Sequence, residues 1–481
     1  MLLAFVLIQG CGGPSAVVAS AASQPSPSIS IAPSSASVQM WKNLQFTVSE
    51  DNSGAQCTWQ TSQPSILTSL GSGQFQGIQQ GTTQVSVTCG TISATASVVV
   101  TAQQASGPIE ITSGGIYSGN WSSTDPNTPA VTIHTDQPVT IQDSVITSRG
   151  ALIHISGVKT GAEVTIENVT GTALDPEVAD RGRGAFISAT NVTSLTVRHC
   201  SMTGVSFGVN LAGATPRALE ISNNLASNLE DRASDGQGGL LSTRPSLGHF
   251  LILNNIYAPS GAEIAWNQIV QTIGQSSTED VINIYDSQGS PGQPIWVHDN
   301  YIEGSSSPAV NGDYTGTALI TDGPTTNGAQ PTAFVLFEAN QVVATAGSGV
   351  GIAAGHDIEA TANRIVSCGV TSAGAWYAWG ASAVVIWNYY ASSQFYNNTI
   401  TGTAGGMVGP GKNDTPKAYD VWIGNPNTLS SSDSVTSNDF SDPCLARGSV
   451  SLQAEDDERA YWTAKIAANG ELIGDQHPNR P

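Results

Sequence analysis

Hydrophobic and polar positions change their pattern several times along the chain. Leu2 to Ile8 is an unbroken apolar run, followed by Gln9, Gly10, Cys11, Gly12 and Gly13. That run is too short to cross an apolar bilayer core of about 30 Å. Residues 12–27 are Gly, Pro, Ser and Ala without periodicity, which predicts a flexible linker. Between Ser28 and Val100 apolar and polar residues alternate, as in Leu44-Gln-Phe-Thr-Val and Thr83-Gln-Val-Ser-Val-Thr-Cys. The alternation predicts about seven short strands, a small sandwich's worth. From residue 104 to 445 alternation leads repeatedly into Asn, any residue, then an aliphatic, beginning at Asn223, Asn254, Asn267, Asn300, Asn340, Asn363 and Asn398. Most intervals run from 23 to 40 residues, the range of solenoid coils, and only the step from Asn254 to Asn267 is too short. One of that pair must therefore sit elsewhere on its coil. After Cys444, acids at 455–458, Lys465 and a closing Asn469-Gly470 predict a helix.

A repeat of this kind has a specific physical use. A parallel coil stacks each strand on its counterpart one turn earlier, about 4.8 Å away. Asn at a bend tolerates left-handed backbone angles and can bond along the stack, while the next aliphatic turns inward. Over about 340 residues the pattern resembles the right-handed parallel β-helix, or pectin-lyase-like, superfamily. Residues 28–103 resemble a bacterial Ig-like domain, and residues 1–11 a bacterial lipoprotein signal with Cys11 as the lipidated residue. The expected fold is all-β: an Ig-like sandwich, then a β-helix over 104–445, with a helical cap over 446–481.

The cysteines and the charge sharpen this picture. Cys57 and Cys89 are expected to pair across the small sandwich, while Cys200 and Cys368 read as small apolar fillers. Sixteen basic against 37 acidic residues leave a net charge of −21, which excludes nucleic acid as a partner. The resemblance implies extracellular carbohydrate chemistry, with a polysaccharide as partner, contact with a membrane through the lipid anchor only, and a monomer located at the bacterial cell envelope or outside it. No Arg-x-Lys motif of the polygalacturonase-like hydrolases occurs.

Between Arg244 and Arg364 there is no Lys or Arg, and the acids are numerous. A solvated acidic face is the plain reading of such a run. Within it, Glu279, Asp280, Asp322 and His356 fall at strand ends of neighbouring coils. They are candidate catalytic groups, two carboxyls of split pKa serving as acid and base at a glycosidic bond. Carboxylates sharing a site are also a possible Ca²⁺ cradle. Candidate substrate contacts are Tyr285, Arg232, Asp235, Trp376, Tyr377 and Trp379, the rings stacking on sugar faces and Arg232 acting as base if the enzyme is a lyase. The leading expectation is a hydrolase of an extracellular polysaccharide. The alternatives are a Ca²⁺-dependent lyase and a non-catalytic glycan-binding or adhesive surface protein.

Overall fold

The computed structural model describes residues 28–50, 56–102, 104–241, 247–272, 275–304, 317–325, 330–377, 382–446 and 449–476. Cys11, Trp379 and Arg244 lie outside the described residues. The chain divides into two compact units, residues 1–102 and 103–481.

The first unit packs a four-stranded sheet against a three-stranded one. Val85, Val87, Val98 and Val100 from the former meet Phe46, Leu67 and Phe75 in one core. The alternation within Gly81–Cys89 and Ile92–Thr101 puts every second side chain inside, which is why these strands were legible as a period of two. Cys57 and Cys89 form a disulfide, as expected from sequence. They are direct partners on neighbouring antiparallel strands, so the bond staples one sheet and does not bridge the sandwich.

The second unit is a parallel β-helix solenoid. Among the described residues an 11-stranded and a 20-stranded sheet run its length, with every named strand pairing parallel except the antiparallel pair Ala404–Pro410 and Pro416–Ala418. One coil comprises Asp280–Tyr285 in the first sheet, then Ile295–His298 and Tyr301–Glu303 in the second. The next repeats this with Thr317–Asp322, Ala333–Glu338 and Gln341–Val343. Inward side chains stack on their own kind: Leu251, Ile282, Leu319, Val350 and Val384 lie in register and are all buried. The column Ile264, Val297, Phe337, Ala360 and Ile400 closes the core from the other side.

The asparagine repeat is a hydrogen-bonded ladder. Asn224, Asn267, Asn300, Asn340 and Asn363 are fully buried or nearly so, and each Nδ2 of the first four donates to the next Oδ1 at 2.9 to 3.0 Å. The left-handed residue is the one before, with φ between 50° and 56° at Asn223, Trp266, Asp299, Ala339 and Ala362. Thus bend and bonding are split between two adjacent positions, and the ladder member of the first pair is Asn224 instead of Asn223. Asn254 ends a strand of the other sheet and Asn398 bonds the Gly355 carbonyl at a different bend, which accounts for the short interval. Cys200 occupies the ladder position one coil earlier and donates its N–H to Asn224 Oδ1 at 3.0 Å. Burial pushes its thiol up to about 12, so it is an inert filler. Cys368, read as a filler, is instead bonded to Cys444, because the residue just past Arg364–Ser367 lies against Ser451 and Glu455 in the segment entering the terminal helix.

That helix, Gln453–Asn469, lies along the flank of the solenoid. Glu458 takes Arg364, Arg459 takes Glu303 at 2.7 Å, Trp462 stacks on Tyr301, and Lys465 reaches Asp299 at 2.7 Å. At ~1.5 Å per residue its length matches about five strand spacings of ~4.8 Å. Beyond it Glu471 accepts from Asn223 and Asp475 from Thr170, so the tail continues down the same flank.

Candidate functional site

The outer face of the 11-stranded sheet carries the densest set of titratable groups drawn from the predicted residues. Glu279 precedes Asp280–Tyr285, and its N–H is held by the Gly248 carbonyl of the coil before. Register then places Tyr285 beside Asp322, the last residue of Thr317–Asp322. Asp322 Oδ1 accepts from Tyr390 Oη at 2.7 Å and from the Gly323 N–H at 2.8 Å. Gly323 has a φ of 113°, and a Cβ there would meet Asp286 Oδ1 at 2.2 Å. Only glycine permits this turn beside the carboxylate.

The charges of this face act on one another. Burial first, then the carboxylates of Asp322 and Asp231, push the Glu279 carboxyl up to about 7. Tyr285 is raised by burial and by Asp286, Asp322 and Glu279. Tyr390 is raised by burial and by Asp322. His249, in register with Asp280, lies below: Nδ1 is 2.9 Å from the Asp280 carbonyl oxygen and Nε2 is 3.7 Å from Glu279 Oε2. Burial pushes this histidine down to about 4, against the effect of its bond to Asp280, so it is neutral at pH 7. A carbonyl oxygen only accepts, which fixes the proton on Nδ1 and turns the Nε2 lone pair towards Glu279. The result is a protonatable carboxyl and a second carboxylate on one face, with no cation among the groups that shift the pKa of Glu279.

The other candidates are placed differently. Asp280 is 1% exposed and accepts from Asn283 Nδ2 at 3.0 Å, inside the wall of the coil. Val281, the next residue, is buried in the core. His356 begins a strand of the 20-stranded sheet, bonds Asp357 at 2.7 Å and stacks on Tyr396. Arg232 is committed to Glu230, with Nε to Oε1 at 2.9 Å, and Asp235 accepts the N–H groups of Gln237 and Gly239 as a turn carboxylate. Trp376 packs against the cluster around Cys368 and Cys444, and Tyr377 is buried. The rings that border Asp322 are others: Tyr389 lies edge-on to Tyr390 and Trp387, and Trp387 to Trp422. Tyr389 is 54% and Trp422 44% exposed. Of these, Trp422 was not singled out by sequence, nor was His249. Counting Leu251 onto Ile282 would have set His249 beside Asp280.

The groups do not suit a calcium ion. Glu279 is half protonated near neutrality, Asp322 already holds two donors, and among the described residues no three His, Cys, Asp or Glu converge as a metal-binding group. No family model matches the chain, and no curated protein is significantly similar to it.

Proposed function

We propose that the protein is an exported, carbohydrate-active β-helix hydrolase of the pectin-lyase-like kind, with an Ig-like spacer and a lipid anchor at Cys11. The observation that carries the chemistry is the environment of Glu279: a carboxyl raised to about 7 on the same face as the Asp322 carboxylate. Glu279 donates its proton to the glycosidic oxygen as the bond to the anomeric carbon breaks. Asp322, steadied by Tyr390 and the Gly323 N–H, takes a proton from the water whose oxygen bonds to the anomeric carbon, so that one sugar leaves as an alcohol and the other carries the new hydroxyl. Asp231 and His249 are positioning residues, the first by keeping Glu279 protonated, the second by fixing where its carboxyl lies. Tyr389 and Trp422 offer ring faces to further sugar units.

The acid-only surroundings favour a neutral or weakly acidic glycan. A lyase reading requires a free base, and Arg232 is tied to Glu230. Two disulfides are compatible with export. A reducing-sugar assay over a panel of neutral and uronic polysaccharides, with absorbance of unsaturated ends followed in parallel, tests the reading. Hydrolysis that disappears in both Glu279→Gln and Asp322→Asn is expected. Unsaturated products would make the protein a lyase, and no cleavage of any glycan would make it a binder.

A further inference from the structure

A second cluster lies on a different face. On the 20-stranded sheet Glu263, Trp296 and Leu336 stand in register over three coils, and Ala265, His298 and Glu338 form the row two residues on. Trp296 and His298 are two apart on one strand, so both point outward on the same side. Their rings stack at 3.7 Å with an interplanar angle of 24°. The imidazole is 6% exposed and the indole 38%, so the indole lies over the histidine and keeps a face to water. Trp296 Nε1 donates to Glu338 Oε2 at 2.9 Å, which pins the ring.

The histidine beneath is held with equal definition. Nδ1 is 2.9 Å from Asp299 Oδ2, and Asp299 is in turn 2.7 Å from Lys465 on the terminal helix. Burial works to raise the Asp299 carboxyl, yet the bonds from His298 and Lys465 outweigh it and hold it below the usual range. An ionised carboxylate only accepts, so Nδ1 carries a proton. His298 Nε2 is buried, makes no hydrogen bond, and faces the half-exposed Glu263 Oε1 at 3.4 Å.

We propose that Glu263, Trp296, His298 and Glu338 form a saccharide-binding site for a sugar unit that carries no acidic group. The wet indole face takes the C–H face of a pyranose ring, backed by the His298 ring, and a hydroxyl or protonated amine of the sugar donates to the exposed Glu263 carboxylate. Glu338 has a second oxygen left for another hydroxyl. A uronic or sulfated unit is repelled by Glu263 and Glu338. The site stands on its own geometry and requires nothing of the chemistry assigned to Glu279; it would hold a glycan on a face other than the one that cleaves it.

The test is calorimetric titration of the full chain with neutral glucose and N-acetylglucosamine oligomers, glucosamine oligomers and galacturonate oligomers. Binding to at least one of the first three series is expected, with an affinity about 30-fold lower in Trp296→Ala and about 10-fold lower in Glu263→Gln, as for loss of an aromatic anchor and a charged acceptor. Trp296→Phe should retain part of the affinity, and the losses in Trp296→Ala and Glu263→Gln should be the same when measured in a Glu279→Gln background, which separates this site from the catalytic one. Circular dichroism checks that the variants fold. The proposal is overturned by equal affinity in wild type, Trp296→Ala and Glu263→Gln, by preference for galacturonate, by no saccharide binding at all, or by Zn²⁺ or Ca²⁺ binding that Glu263→Gln abolishes while saccharide affinity stays unchanged.

Discussion

The two acidic clusters of the solenoid use the same residue types and reach opposite chemical states. On the 11-stranded sheet Glu279 is set among other acids, and the charges that act on it are those of Asp322 and Asp231. Its neighbour His249 is too buried to carry a charge at neutral pH. On the 20-stranded sheet each acid has a donor or water: Glu338 has the indole N–H, Asp299 has His298 and Lys465, and the Glu263 side chain is 54% exposed. The first arrangement favours a carboxyl that keeps its proton, and the second favours acceptors. Environment, more than composition, separates a carboxyl that keeps its proton from carboxylates that accept hydrogen bonds.

The largest expected difference between them is therefore in turnover. Glu279→Gln and Asp322→Asn should each lower kcat by about 100-fold or more, and the activity of the wild type should fall as pH rises past about 7, where Glu279 loses its proton. Trp296→Ala should leave turnover of a short soluble substrate unchanged. Equal losses in the two clusters would end the distinction. Next in size is a stability effect confined to the second cluster. Asn300 Nδ2 donates to the carbonyl of His298 and to Asn340, and its Oδ1 accepts from Asn267. Asn300→Ala orphans several buried groups, which should cost about 3 kcal/mol or more in denaturant unfolding, and should loosen His298 while sparing the pH profile of hydrolysis. Smaller again is Tyr390→Phe, which removes one donor from Asp322 and should lower kcat by about 10-fold with little change in KM.

The fold was legible because its signals are local and repeated. Strand alternation and Asn-x-aliphatic bends recur on every coil, so single misassignments such as Asn223 for Asn224 do not disturb the whole. Candidate sites obey a different rule, since they depend on which coil lies on which. Asp322 and Glu279 were legible as acids at strand ends. Asp280 followed the same signal, but its side chain bonds Asn283 inside the wall, because it shares the inward parity of Ile282 and Ile284. His356 failed to join them because the strand it opens belongs to the other sheet. Trp296 and His298 were visible as a pair two apart on a strand, yet nothing in sequence says that the indole covers the imidazole or that Glu263 of the coil before meets Nε2. Cys368 lacked any local mark of its partner, which lies 76 residues away.

The smallest expected effect tests the premise of the comparison without any substrate. Glu279 has an ordinary value of 4.5 and a folded value of about 7, so the folded state binds its proton more tightly than the unfolded state. That contribution to stability is fully present below about 4.5 and is lost as pH rises through about 7. Glu455 and Asp420 are also raised, to about 7 and about 6, so the melting curve of the wild type alone mixes several groups. The difference between wild type and Glu279→Gln isolates one of them, since Gln has the same shape and no titration. Between pH 4.5 and 7.5 the wild type should lose about 1 to 2 °C of Tm relative to the variant, which is about 1 kcal/mol for a chain of this size once water screens a carboxyl that is 32% exposed. Parallel melting curves would mean that Glu279 is solvated like any surface acid, and the asymmetry between the two faces would then rest on Asp322 and the aromatic edge alone.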